Sequence, residues 1–234
     1  MVLDVGCAPG AWLQTLFRSN TQRPSFIVGV DMQRVDSRVI QELQVEETNI
    51  SGGAIYASGG GGGGGGGEGI DTRGIALVQR RLGDNHKEDV QVLTAALRIA
   101  SGGAVRRFNT ILSDLAPKTT GYGDGLASVE AASIAARLAT ADKYDAYGAD
   151  NDDDHHHEDD VQGSDADDTS ASFQLLVPGG NICLKVLDGG TLSRGLEIFL
   201  RERFQTVQRY TPQASARSRT EQYIIARGFK GSPR

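Results

Sequence analysis

The segment 2–12 (VLDVGCAPGAW) constrains the fold of this chain more than any other stretch. Val2–Val5 is mostly apolar and typical of a buried strand, while residues 11–17 carry apolar side chains at helical spacing. The short turn between them, residues 6–10, contains two glycines and one proline. A buried strand that enters a helix through a glycine-containing turn is a common first unit of an open α/β sheet. We therefore expect an α/β fold with a ligand site at this turn.

The rest of the chain alternates between strand and helix patterns. Helices are predicted at 88–99, 127–140 and 192–202, and residues 173–177 are predicted to end a helix before a turn at 178–180. Strands are predicted at 26–31, 75–78, 108–113, 182–186, 206–210 and 222–226. This alternation indicates a single domain over residues 1–234 with a Rossmann-like α/β fold, in which a mostly parallel sheet carries helices on both faces.

Two segments of low complexity are predicted not to pack. Nine consecutive glycines at 59–67 indicate a flexible, glycine-rich insertion over residues 51–69. They lack the Lys-Ser/Thr ending of a phosphate-binding P-loop. Residues 142–170 are predicted to be an acidic, disordered insertion. Three aspartates and three histidines follow one another at 152–157, but nothing fixes a ligand geometry there, so we predict no metal site.

Charge is distributed unevenly along the chain. The formal net charge is −6, yet residues 142–168 alone hold twelve Asp or Glu and one Lys, so the remainder carries a net charge of +5. Residues 194–234 contain nine Lys or Arg against three Glu. A basic face is what a nucleic-acid partner requires, although a solvated surface explains the same composition. No apolar run approaches the roughly 18–20 residues of a membrane span, so we expect no membrane partner.

Polar residues fall where the predicted strands end: the turn 6–10, then Asp31, Asp84, Asp114 and Lys185. Ligands of open α/β sheets bind at the carboxyl ends of the strands. Pro9 stands where a dinucleotide site needs a flexible glycine, which argues against a nicotinamide-dependent oxidoreductase and suits S-adenosylmethionine, which has no pyrophosphate. Asp31 lies 21 residues after Gly10, the place for a carboxylate that binds both ribose hydroxyls. A strand-end aspartate of this kind can instead cap a helix.

Five blocks, in order, resemble the FtsJ/RlmE family of RNA 2′-O-ribose methyltransferases. The resemblance covers nearly the whole chain outside the two low-complexity segments. The block at 113–117 (SDLAP) is similar to the branch that acts on ribosomal RNA, and Ala11-Trp12 with residues 212–215 is most similar to the mitochondrial large-subunit rRNA branch. The blocks are residues 2–12, 29–31, 113–117, 178–185 and 218–223.

The resemblance implies functional residues one by one. It implies S-adenosyl-L-methionine as the cofactor, bound by Gly6, Pro9, Gly10, Trp12, Asp31, Asp84 and Asp114. Asp114, Lys185 and Glu221 match the last three members of the family's Lys-Asp-Lys-Glu catalytic set. Lys185 would either remove the proton of the ribose hydroxyl or hold its oxygen in line. Ribosomal RNA, within an assembling large subunit, would contact the arginines of the basic C-terminal part: Arg194, Arg201, Arg203, Arg209, Arg217 and Arg219.

The sequence departs from the family pattern at one place. The first catalytic lysine of the family lies on a helix upstream of the first strand, and this sequence starts at that strand, without the family's N-terminal helices. The resemblance therefore leaves two hypotheses: an active rRNA 2′-O-methyltransferase, or a catalytically impaired ribosome-assembly factor that binds rRNA. It further implies a monomer and a mitochondrial location, the alternative location being cytoplasmic.

Overall fold

The computed structural model describes residues 1–19, 24–50, 53–57, 74–115, 124–141, 174–187, 191–213 and 221–231. Nine strands occur in that part of the chain: β1 Val2–Val5, β2 Phe26–Asp31, β3 Glu46–Ile50, β4 Gly53–Ala57, β5 Gly74–Gln79, β6 Phe108–Ser113, β7 Leu176–Val186, β8 Phe204–Tyr210 and β9 Gln222–Phe229. The same part contains five helices: α1 Ala11–Arg18, α2 Ser37–Leu43, α3 His86–Ala100, α4 Asp124–Thr140 and α5 Arg194–Arg203.

The described strands form one sheet with the order β3-β4-β5-β2-β1-β6-β7-β9-β8. The five central strands, from β5 to β7, pair in parallel, whereas β4 and β9 run against their neighbours. The first strand of the chain therefore lies in the middle of the sheet, with a parallel strand on each side. Its four residues are all buried, as expected for a strand covered on both faces. The predicted α/β fold with a mostly parallel sheet is confirmed.

Helices cover both faces of the sheet. On one face α3 packs on β2 and β5, α4 on β6 and β7, and α5 on β8 and β9. On the other face Leu13 of α1 and Val39 of α2 pack against Ile27 and Leu77. We call the face that carries α1 and α2 the α1 face. Because side chains alternate along a strand, each strand places every second residue on the α1 face.

Two expectations about local structure were wrong or incomplete, and two further elements were not predicted. Within the predicted insertion 51–69, Gly53–Ala57 forms β4, which pairs with β3 and β5. Residues 174–177 do not end a helix: Leu175 accepts a hydrogen bond from the Phe108 amide at 2.8 Å, and Leu176 pairs with Phe108. The helix α2 and the strand β3 had no clear sequence pattern. Each case depends on pairing or packing with residues distant in sequence, which overrides local propensity.

The predicted turn at 178–180 is an irregularity inside β7. Pairing with β6 moves from Phe108–Leu176 to Thr110–Asn181, so β7 accommodates three more residues than β6 between these pairs. Gly179 has a φ of +80°, which allows the chain to leave the ladder and return. The glycine run 59–67 and the acidic segment 142–170 lie outside the described residues and stay predictions. Among the helices described, none is long and apolar enough to cross a membrane.

Candidate active site

The turn that follows β1 has a shape that only glycine permits at two positions. The amide of Gly6 donates to the carbonyl of Val30 on β2 at 2.8 Å, and Gly6 has a φ of +82°. A Cβ at Gly6 would lie 2.8 Å from the backbone nitrogen of Leu115. Gly10, with a φ of +124°, begins α1, and a Cβ there would lie 2.8 Å from Val39. Between them Pro9 follows a cis peptide bond. The turn is therefore closely packed between β2, the end of β6 and α2.

Asp31 connects this turn to the end of β2. Its Oδ2 accepts a hydrogen bond from the Ala8 amide at 3.0 Å, and its Oδ1 accepts one from the Gln33 amide at 2.8 Å. A carboxylate oxygen has two lone pairs, so each oxygen can still accept a bond from a ribose hydroxyl. The alternative role of helix cap belongs to another residue, since Asp36 caps α2 by accepting from the Arg38 amide at 2.8 Å.

Asp114 and Lys185, which the sequence placed 71 residues apart, form an ion pair. Lys185 Nζ lies 2.8 Å from Asp114 Oδ1, and the two side chains are 17% and 29% exposed. Their meeting follows from the register of the parallel strands, because Ser113 of β6 pairs with Leu184 of β7. The next residue on each strand, Asp114 and Lys185, therefore lies on the α1 face at the carboxyl edge of the sheet.

Tyr223 joins Glu221 and Trp12 to this pair. Lys185 and Tyr223 are register partners across β7 and β9. The hydroxyl of Tyr223 donates to Glu221 Oε1 at 3.0 Å, and its ring stacks on that of Trp12, with centroids 5.9 Å apart. Burial first, then the bond to Glu221 and the charge of Asp114, raise the pKa of Tyr223. The phenol is therefore neutral and acts as a donor. The sequence interpretation assigned no role to Tyr223, although it ends the matching block 218–223.

Asp4 is a second residue that the sequence interpretation missed. It is fully buried in β1, and neither carboxyl oxygen has a hydrogen-bond partner among the described residues. Burial, followed by the charges of Asp114 and Asp31, raises the pKa of Asp4 to about 7. An acid inside an otherwise apolar buried strand was the signal that could have found it. A buried carboxyl group next to two further carboxylates fits a ligand that carries positive charge, as S-adenosylmethionine does.

A shallow hollow adjoins the Asp31 end of β2, between α2 and β5. Its lining includes the apolar side chains of Val35, Ile40 and Leu77. The candidate adenine residue Asp84 is 71% exposed, and its carboxylate lies 3.8 Å from Arg81. The loop that carries Asp84 is held by buried Asp89, which accepts bonds from the Gly83 amide at 2.8 Å and from Arg80 Nε at 2.9 Å. The assignment of Asp84 stays a prediction. The hollow is lined by Gln33, Arg34, Val35, Ile40, Leu77, Val78 and Gln79.

The arginines predicted to contact RNA do not form one set. Helix α5 packs against the Ile224 side of β9, which is the sheet face opposite Lys185. Arg209, only 24% exposed, faces α5 and donates to Glu197, Ser193 and Gln222, the last at 2.6 Å. This arginine therefore links β8, β9 and α5, and the prediction that it contacts phosphate is not supported by its surroundings.

The remaining arginines differ in exposure. The guanidinium of Arg203 lies 3.9 Å from the centroid of the Phe199 ring, whereas Arg194 is exposed and the side chain of Arg201 is 60% exposed. Of the four that the structure describes, Arg194 and Arg201 are thus the most accessible to RNA. Arg217 and Arg219 lie outside the described residues.

Comparisons with known proteins all identify methyltransferases. The profile of the FtsJ-like methyltransferase family matches residues 1–229. The chain is 25% identical over 233 residues to a protein of Parvibaculum lavamentivorans named ribosomal RNA large subunit methyltransferase E, covering 98% of this chain and 65% of that protein. The protein of the same name from Maricaulis maris is also 25% identical, with 98% of this chain and 54% of that protein covered.

A shorter match is closer in sequence. The protein of the same name from Novosphingobium aromaticivorans is 47% identical over 60 residues, which cover 26% of this chain and 27% of that protein. Against the two full-length matches, this chain spans between 54% and 65% of the relative's length. Since the family profile extends over almost every residue and includes the turn, the Asp114–Lys185 pair and β9, this chain belongs to the FtsJ-like methyltransferase family.

Proposed function

We propose that this chain transfers a methyl group from S-adenosylmethionine to a ribose 2′-hydroxyl of large-subunit ribosomal RNA. The observation that carries the proposal is the Asp114–Lys185 ion pair, at the same sheet edge as the glycine turn and Asp31. The names of the relatives support ribosomal RNA as the substrate class.

The cofactor would bind along the carboxyl edge of β2, β1 and β6. Asp31 would accept hydrogen bonds from the ribose hydroxyls, and the turn that Asp31 holds would lie under the nucleoside. Asp114, with buried Asp4 on the same face of the sheet, would lie toward the other end of the ligand. When bound, S-adenosylmethionine supplies a methyl group already activated on a sulfonium, so the protein has mainly to align the acceptor hydroxyl.

Lys185 would align that hydroxyl. Its ammonium group contacts Asp114 at 2.8 Å and has two further N–H donors that can hold the ribose oxygen. An ammonium has no lone pair, so Lys185 paired with Asp114 would position the hydroxyl, whose proton would be released to solvent as the methyl group leaves sulfur and the new C–O bond forms. Removal of the proton by Lys185 itself would require a neutral amine. Tyr223 is the register partner of Lys185 and donates a hydrogen bond to Glu221, so Glu221 would act on Lys185 through Tyr223.

Substitution of Lys185 tests the catalytic assignment. We expect Lys185→Met to keep the affinity for S-adenosylmethionine within about threefold and to reduce methyl transfer to rRNA at least 100-fold, in the range usual for loss of a positioned catalytic group. Lys87→Met, an exposed lysine of α3 on the opposite face, is the matched control and should retain activity. Retained transfer by Lys185→Met would exclude Lys185 as the catalytic residue.

Substitution of Asp31 tests the cofactor site. Asp31→Ala should abolish S-adenosylmethionine binding in calorimetry, because it removes the ribose acceptor and the bond to the Ala8 amide. Asp36→Ala, which removes only the cap of α2, is the control for a general effect on folding. Unchanged affinity of Asp31→Ala would refute the ribose assignment. Cofactor binding without turnover in the unmodified chain would instead favour the rRNA-binding assembly factor.

The cellular context of this activity is proposed from the resemblance alone. It implies a mitochondrial protein that acts as a monomer on an assembling large ribosomal subunit. Fractionation of cells that express a tagged chain, followed by sedimentation of organelle lysates, tests this context. Co-migration of the tagged chain with large-subunit precursors in the mitochondrial fraction is the expected result, and a cytoplasmic signal alone would contradict it.

A further inference from the structure

Asp4 occupies an unusual place for an ionisable side chain. It lies in the central strand β1, where its register partners are Gly29 on β2 and Leu112 on β6. The residues two positions further on those strands are Asp31 and Asp114, so all three carboxyl groups lie on the α1 face. Asp4 is the one farthest from the sheet edge. It is 0% exposed, and both of its oxygens are without a partner among the described residues.

The groups that face Asp4 do not compensate a negative charge on it. The turn contributes the thiol of Cys7, whose pKa is raised by burial and by Asp4, while Cys183 and Lys185 lie on the same face of the sheet on β7, two strands away from Asp4. Lys185 is already paired with Asp114. The one charged side chain of α1, Arg18, is 64% exposed and paired with Glu42. With every carboxyl group ionised, the group of Asp4, Asp31 and Asp114 would carry three negative charges against one positive charge.

We propose that Asp4 is a specificity-determining residue that recognises the positive charge of the methyl donor. Below pH 7, Asp4 would be mostly protonated in the ligand-free protein, lose its proton when the sulfonium binds, and regain a proton when methyl transfer leaves a neutral thioether. This inference rests on the proposed function, because it requires S-adenosylmethionine in the site. The balance is one proton released to solvent on donor binding and one taken up after transfer.

The titration of Asp4 sets the size of the effect. Burial and the two neighbouring carboxylates raise the pKa of Asp4 to about 7. The ionised fraction in the free protein then increases from roughly one tenth at pH 6 to about nine tenths at pH 8. If only the ionised form binds the sulfonium tightly, donor affinity gains about tenfold over this range. The neutral thioether product gains nothing, so selectivity for donor over product increases by the same factor.

Isothermal titration calorimetry with the full chain tests this inference. S-adenosylmethionine and S-adenosylhomocysteine are titrated at pH 6, 7 and 8, in pairs of buffers with different ionisation enthalpies, which give the number of protons released. We expect about one proton released at pH 6 for the sulfonium and almost none for the thioether. Asp4→Asn should remove both the proton release on binding and the increase in affinity for S-adenosylmethionine with pH. The amino group of each ligand titrates equally with both proteins, so the difference between them isolates Asp4.

Each outcome decides a different point. Asp36→Asn, an exposed aspartate at the start of α2, is the matched control and should behave like the unmodified chain. Equal proton release for sulfonium and thioether, or none for either, would overturn the role of Asp4 while leaving cofactor binding intact. Absence of any binding heat for S-adenosylmethionine would refute the proposed function and this inference together. If Asp4→Asn does not fold, the proton counts of the unmodified chain decide the question.

Discussion

Replacing Asp4 by asparagine should make the ligand-free protein more stable, by an amount that increases as the pH increases from about 4 to about 7. Asparagine has nearly the same shape but cannot ionise. The pKa of Asp4 is raised from 3.8 to about 7 in the folded protein. Between these values the folded state binds a proton that the unfolded state has released, so this group lowers the free energy of unfolding as the pH increases from about 4 to about 7.

The magnitude follows from the size of that shift. A difference of about three pKa units corresponds to about 4 kcal/mol of lost stability above pH 7. Since Asp4 is fully buried, solvent does not reduce this value appreciably. The advantage of Asp4→Asn over the unmodified chain should therefore be about 1 kcal/mol at pH 4.5 and increase to about 4 kcal/mol at pH 8. An unpaired amide in the same place adds a constant cost, which changes the offset but not the slope.

Urea unfolding followed by circular dichroism, at pH 4.5, 6, 7 and 8 without ligand, measures this difference. Asp36→Asn is the control, because Asp36 is exposed at the start of α2. The difference in free energy of unfolding between Asp36→Asn and the unmodified chain should not increase with pH as it does for Asp4→Asn. A stability difference for Asp4→Asn that is the same at every pH would contradict this prediction, since a group with the same pKa in the folded and unfolded states does not make the free energy of unfolding depend on pH.

Three further outcomes are expected. Gly6→Ala should lower the free energy of unfolding in urea by at least about 2 kcal/mol, because its Cβ would lie 2.8 Å from the backbone of Leu115. Gly102→Ala is the control, since Gly102 also has a positive φ but has open space around it, and it should cost about 1 kcal/mol. Equal costs for the two variants would contradict the close approach at Gly6. Arg209→Ala should lower the free energy of unfolding by about 2 kcal/mol, because Arg209 is mostly buried and paired with Glu197. Arg201→Ala, at an exposed ion pair, should lower it by less than about 1 kcal/mol. The reverse order would contradict the assignment of Arg209 to the interior. Deleting residues 142–168 should leave the circular dichroism spectrum of the folded domain unchanged, because that acidic segment has few apolar side chains to bury; loss of the helical signal would show a structural role.

Features that depend on neighbouring residues could be predicted from the amino-acid sequence. The strand, turn and helix of segment 2–12 follow from apolar spacing and from two glycines with positive φ, and the structure has them at the predicted positions. The same holds for the strand ends at Asp31 and Asp114, because periodicity and strand length are local properties. The family resemblance rests on these local blocks.

The contacts between side chains of different elements depend on strand register and could not be predicted from local patterns. The register of β6 and β7 brings Asp114 to Lys185, and the pairing of β7 with β9 places Tyr223 beside Lys185. Alternation along β9 places the α5 arginines on the opposite face from Lys185, which no local pattern reveals. The protonation of Asp4 depends on the same long-range arrangement, since two other strands bury it and supply the neighbouring carboxylates. The chemical type of a side chain is given by the residue itself, whereas its burial and its electrostatic environment depend on residues that are distant in sequence.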